Sequence, residues 1–145
     1  MDSFFMVVEQ THRYPKRMEY LPETNTFVET QWQSLGNAKG VPYPYGWLQG
    51  YGAPPQRHLD VLLVSGEPCE LGDAVPVKLI GVFVRRDGDN KLLALPLGRV
   101  ETDYAQLSDG EKELLRRLYP GRYDGEGWFG RERAEAILRA FAGQP

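Results

Sequence analysis

Leu59-Asp60-Val61-Leu62-Leu63-Val64 is the stretch on which the fold turns: an apolar run behind a single acid, short enough to read as a buried strand from Asp60 to Val64. Towards the C-terminus, Val75 to Arg85 and Leu92 to Leu95 read as two further strands, the first long enough to bend round a small barrel. Asp87-Gly88-Asp89-Asn90-Lys91 lies between them, a composition that hairpin turns select. Towards the N-terminus, Phe4-Phe5-Met6-Val7-Val8-Glu9 reads as a buried strand. Arg17 to Leu21 and Thr26 to Thr30 read as a hairpin across Pro22-Glu23-Thr24-Asn25, with Arg17, Glu19 and Leu21 on one face. From Gln33 to Gln56 the sequence predicts a long ordered loop stiffened by Pro42, Pro44, Pro54 and Pro55. Loops of that length are often functional.

The C-terminal third changes period. Ser108 followed by Glu111 is a capping box opening a helix with Leu114, Leu115 and Leu118 as its apolar stripe, and Pro120-Gly121 ends it. Arg131 to Ala142 sets Ala134, Ile137, Leu138 and Phe141 at helical spacing, a second amphipathic helix. Five or six short strands followed by two helices predict an α+β arrangement, a barrel covered on its outside by helices.

The 145 residues, 41% of them hydrophobic, suit one compact domain spanning residues 1–145. Seventeen basic and 20 acidic side chains leave a net charge of −3, so the chain as a whole has no field to attract nucleic acid or an anionic membrane, and any anion must meet a local cluster. Cys69 is the one cysteine and cannot form an internal disulfide. With no export-type N-terminus and no apolar run near the roughly 20 residues that cross a bilayer, the expected location is the cytoplasm.

Asp60, Asp87 and Asp89 are the acids to place round a cation, because hard ions such as magnesium prefer carboxylate and water oxygens. The same residues also read as a turn and an exposed strand start. Arg57 and His58 read either as a solvated loop pair or as guanidinium charge standing where cation charge would be. Tyr43, Tyr45, Trp47 and Tyr51 would suit base stacking, but their loop has no interleaved Lys or Arg, and packing against the barrel is the better account. The sequence holds no HExxH and no GxxxxGK[ST]. Cys69 has Glu67 and Glu70 as acidic neighbours that disfavour a thiolate.

Tyr43-Pro44-Tyr45-Gly46-Trp47, then the Asp60 run, then the Asp87 to Lys91 turn, in that order, resemble the soluble inorganic pyrophosphatases, which hydrolyse diphosphate with bound magnesium. Gly81-Val82 before the turn and Gly127-Trp128 near the end fall in family-like places. The resemblance implies a five-stranded OB-like barrel and a small phosphate-containing ligand. It also implies a homo-oligomer, hexameric among bacterial relatives. It casts Asp60, Asp87 and Asp89 as magnesium ligands and Arg17, Tyr45, Lys91 and Tyr119 as phosphate contacts. Glu9 matches the acid closing the first strand, and Arg17 with Glu19 matches a basic-x-acid pair.

The family's D-G-D-P-x-D segment reads here Pro55-Gln56-Arg57-His58-Leu59-Asp60, so Pro55 and Arg57 stand in place of a metal ligand and the usual proton acceptor. Thr30 stands at a phosphate-binding arginine, Val41 at the first tyrosine of the loop, and Pro120 at the lysine after Tyr119. The expectation is therefore weak or lost diphosphatase activity, because metal-assisted hydrolysis depends on those charges. The alternatives are a non-catalytic anion-binding or assembly protein on the same fold, or a hydrolase of another phosphate compound.

Overall fold

The computed structural model describes residues 3–143. Its strands are β1 (Phe4–Gln10), β2 (Lys16–Leu21), β3 (Thr26–Gln33), β4 (Tyr45–Leu48), β5 (Asp60–Leu63), β6 (Ala74–Val84), β7 (Lys91–Pro96) and β8 (Gly127–Gly130). The helices are α1 (Leu35–Lys39), α2 (Asp109–Leu118) and α3 (Arg131–Ala142), with a 3-10 turn at Tyr104–Gln106. Strands β1, β4, β5, β7 and β6 are hydrogen-bonded in that order, and β6 returns to pair with β1. The result is a closed five-stranded barrel, OB-like, with two C-terminal helices against it, the α+β arrangement that the sequence predicts.

Length explains how β6 closes the ring. Its first residues pair with β1, its middle with β7, and its last, from Gly81 to Val84, with β8. Only β5 and β7 run parallel, joined through β6 as a parallel pair requires. Alternate side chains of these two strands enter different clusters. Val61, Leu63, Leu92 and Ala94 pack with Ala134 and Leu138 of α3, while Leu62, Leu93 and Leu95 pack with Leu115 and Leu118 of α2. Both faces are thus covered, which is why the sequence there is continuously apolar and not alternating.

The capping box of α2 is present as expected: Ser108 Oγ accepts from the Glu111 amide, and the Glu111 carboxylate accepts from the Ser108 amide. Helix α3 begins at Gly130 with no side-chain cap of its own, and Asp103 supplies one from the 3-10 turn, accepting from the Arg131 amide at 2.8 Å. Strands β2 and β3 form the expected hairpin, whose Tyr20 and Phe27 rings pack on Trp47.

The Gln33 to Gln56 stretch departs from the expected loop. It contains α1, capped by Ser34 and ended by Gly40 at φ 69°, and the barrel strand β4. Both are shorter than the windows over which hydrophobic periodicity shows. In β4, Gly46 is required by packing: a Cβ there would meet the Val7 carbonyl oxygen at 1.9 Å. Among the described residues no helix is long and apolar enough to cross a membrane.

Candidate functional site

The parallel register of β5 and β7 sets Asp60 directly beside Lys91, each the first residue of its strand. Alternation puts both on the side of Leu62 and Leu93, the face that α2 covers. Strand β4 brings Tyr45 opposite Leu62, and Tyr119 follows α2 as its C-cap. Strand β1 meets β4 with Val8 opposite Gly46 and Gln10 opposite Tyr45, so Glu9 is the extra residue of a bulge, a device that re-aims a side chain.

Lys91 is the hub of the cluster. Its ammonium, 5% exposed with the rest of the residue, donates to Asp60 Oδ2 at 2.8 Å and to the Tyr45 hydroxyl at 3.0 Å, and lies 3.1 Å from Asp89 Oδ2. The other Asp60 oxygen faces His58 Nε2 at 2.8 Å, while His58 Nδ1 lies 2.6 Å from the Gln56 carbonyl. A carbonyl and an ionised carboxylate only accept, so both ring nitrogens must donate and His58 is an imidazolium in this geometry. Asp60 therefore sits between two cations.

Charge and burial divide the titrating groups. Burial alone would raise the Asp60 carboxyl, but the His58 hydrogen bond and the Lys91 charge outweigh it and hold it well below the usual carboxylate range. The bond to Asp60 raises His58 against the effect of its burial. Glu9 moves oppositely: burial first, then repulsion from Asp60, push it up to about 7. Burial, with Asp60 second, raises the Tyr45 and Tyr119 hydroxyls, so both remain neutral donors.

Two adjoining cavities of about 580 and about 400 Å³ open at this cluster. Glu9, Arg17, Tyr45, Asp89 and Lys91 line both; Glu19, Arg57 and Asp60 line the larger and Tyr119 the smaller. Of the ten residues singled out from the sequence, only Asp87 lines neither. It engages Arg85 at 3.0 Å and accepts from the Asp89 amide, in a turn where Gly88 adopts φ 84°. Arg85 also lies 3.6 Å from Asp89, and Arg86 stacks on Tyr123.

Arg57 spreads its guanidinium over the Phe141 ring, 3.8 Å from the centroid, tying its loop to α3. His58 is not solvated but half-buried on Asp60. The signal for it was in the sequence: His58 and Asp60 are two residues apart, and extended backbone puts such residues on one face. Trp32, which lines both cavities while 60% exposed, had no such signal, because its strand extends beyond the expected end at Thr30. The aromatics pack as expected, Tyr51 against Phe4 and Phe141.

A magnesium cluster needs gathered carboxylates with free oxygens. Here the Lys91 ammonium fills the gap between Asp60 and Asp89, His58 takes the remaining Asp60 oxygen, and Asp87 stands on Arg85. Among the described residues no group of three or more His, Cys, Asp or Glu side chains is arranged to hold a metal ion. The residues present do not fit a site for several magnesium ions.

Comparison with known proteins agrees with the fold. The sequence model of the family described as inorganic pyrophosphatase matches residues 6–141. The inorganic pyrophosphatase of Nanoarchaeum equitans is 31% identical over 122 residues, covering 72% of this chain and 76% of that protein. That of Streptomyces coelicolor is 30% identical over 119 residues, covering 72% and 73%. The crystal structure of inorganic pyrophosphatase from Ehrlichia chaffeensis superposes with a TM-score of 0.75 at 23% identity, covering 95% of this chain and 92% of that one. The Thermus thermophilus structure gives 0.70 at 19% identity, covering 97% and 92%.

Proposed function

This chain belongs to the inorganic pyrophosphatase family, and from that premise we propose that its site binds a diphosphate-like anion but hydrolyses it far more slowly than the family norm. The observation that carries the reading is Asp60 held between Lys91 and His58, with Pro55 and Arg57 lining the cavity where the family pattern has acids. Carboxylates neutralised by the protein's own cations have little left to offer a metal.

Binding follows from the same side chains. Arg17, exposed at the rim of both cavities, presents a planar fork of donors to a phosphate group. Lys91 supplies charge from within, and the Tyr45 and Tyr119 hydroxyls, kept protonated by burial, donate to phosphate oxygens. Proton transfer is served less well. Asp60 is too weak a base, and Glu9 is the site carboxyl poised to exchange a proton near neutral pH. Hydrolysis is thereby left with positioning and one marginal base. Family membership alone supports a cytoplasmic, homo-oligomeric protein.

Phosphate release from diphosphate at saturating magnesium is the test. The expected rate is at least a hundredfold below that of an intact family member, roughly the loss that follows removal of one charge-stabilising group. Comparable turnover would refute the reading. A second reading, an assembly protein with no anion ligand, is favoured if diphosphate does not raise the melting temperature with or without magnesium.

A further inference from the structure

We propose that the anion bound here carries an organic head: a phosphate or diphosphate ester whose flat aromatic group enters the smaller cavity, between the β3–α1 connection and α2. The inference rests on the anion-binding reading and adds a substrate class to it. Diphosphate offers oxygen on every side, and its partners are Arg17, Tyr45 and Lys91 on the wall that the two cavities share, with Tyr119 in the smaller cavity. Beyond that wall the 400 Å³ cavity changes character. Val41, Tyr43, Leu62 and Leu118 line it, apolar or aromatic surface that an inorganic anion cannot use. Its volume falls in the range of about 300–1,000 Å³ that organic ligands occupy, and apolar walls with a few polar groups are the usual composition of such sites.

Two further observations point to an occupant. Trp32 stands on the rim of both cavities, 60% exposed despite its size, where a planar ring could stack on the indole while its phosphate reaches Arg17 and Lys91. Thr11, 7% exposed, lines the smaller cavity, and its Oγ1 has no hydrogen-bond partner among the described residues. A buried hydroxyl without a partner is costly, and rotation of the Thr11 side chain toward the cavity would let a ligand heteroatom satisfy it. Apolar walls, a stacking ring and an orphaned hydroxyl together describe a heteroaromatic head.

Calorimetric titration of the full chain without added metal, using adenosine 5′-diphosphate and inorganic diphosphate as probes, tests the proposal. The nucleotide is expected to bind about fivefold or more tightly than the inorganic ion, the gain of stacking one base. Trp32→Ala should reduce that ratio by a similar factor. Ala38→Leu, which adds bulk at an exposed position lining the cavity, should reduce it as well, and serves if the Trp32 variant does not fold. Diphosphate binding as tightly as the nucleotide overturns the proposal and leaves the anion reading standing. A nucleotide preference that survives both variants also overturns it, since the head would then lie elsewhere. Failure of both probes to bind removes the anion reading, and this inference with it.

Discussion

Glu9 is the residue at which burial and charge conflict most openly. Bulged out of β1 and facing Asp60, its carboxyl is raised from 4.5 to about 7. Between these values the native chain keeps a proton that the unfolded chain has lost, so folding stability falls as pH rises from about 4.5 to about 7 and is flat above. Glu9→Gln keeps the shape and removes the ionisation. It is expected to be more stable than the parent at pH 8 by on the order of 3 kcal/mol, and equal to it near pH 4.5. Urea denaturation of both proteins at the two pH values measures this. A constant difference across pH would show that Glu9 is not buried against Asp60. At this scale the sequence was informative about which residues meet and silent about how. Asp60 could be singled out because it opens a readable strand, whereas Lys91 and Tyr45 were singled out only by the family resemblance. That Lys91 would neutralise Asp60 depends on the parallel register of strands separated by 27 intervening residues, which no local pattern encodes.

Among the elements, those with a strong period were legible and the brief ones were not. Strands β5, β6 and β7 and helices α2 and α3 announce themselves by apolar runs or capped stripes. Helix α1, β4 and β8 lack that length, and their glycines, Gly36, Gly46, Gly127 and Gly130, imitate loop composition. Gly46 is there because β1 approaches too closely for any side chain. The loop between β4 and β5 is where the sequence reading sets this chain apart from the family pattern, and Arg57 has a structural role there on Phe141 as well as lining the cavity. Pro55→Asp combined with Arg57→Asp should therefore do two things. Two carboxylates added beside Asp60 should raise magnesium affinity about tenfold in calorimetric titration. Loss of the Arg57–Phe141 contact should lower stability by about 0.5–1 kcal/mol. A stability loss with unchanged magnesium affinity would mean that Lys91 and His58, and not the missing acids, exclude the metal.

On the scale of the whole molecule, the decisive feature is that its two apolar clusters are built from alternate residues of the same strands. Leu62 and Leu93 face α2 while Val61 and Leu92, their chain neighbours, face the α3 side, so neither cluster can come apart without pulling β5 and β7 out of the barrel. The expected consequence is that residues 3–143 unfold as one cooperative unit. Trp47 reports the hairpin side, Trp128 the α2 side, and far-ultraviolet circular dichroism the helices themselves. In urea, tryptophan fluorescence and circular dichroism should give superimposable transitions. Leu93→Ala, emptying a fully buried position on the α2 face, should shift both by the same amount, a loss of about 2–5 kcal/mol with the slope unchanged. Two transitions, with only one displaced by Leu93→Ala, would mean that α2 and its cluster form a separable unit. The site would then straddle a boundary, because Tyr119 leaves α2 while Asp60 and Lys91 belong to the strands, and anion binding would be lost with the first transition.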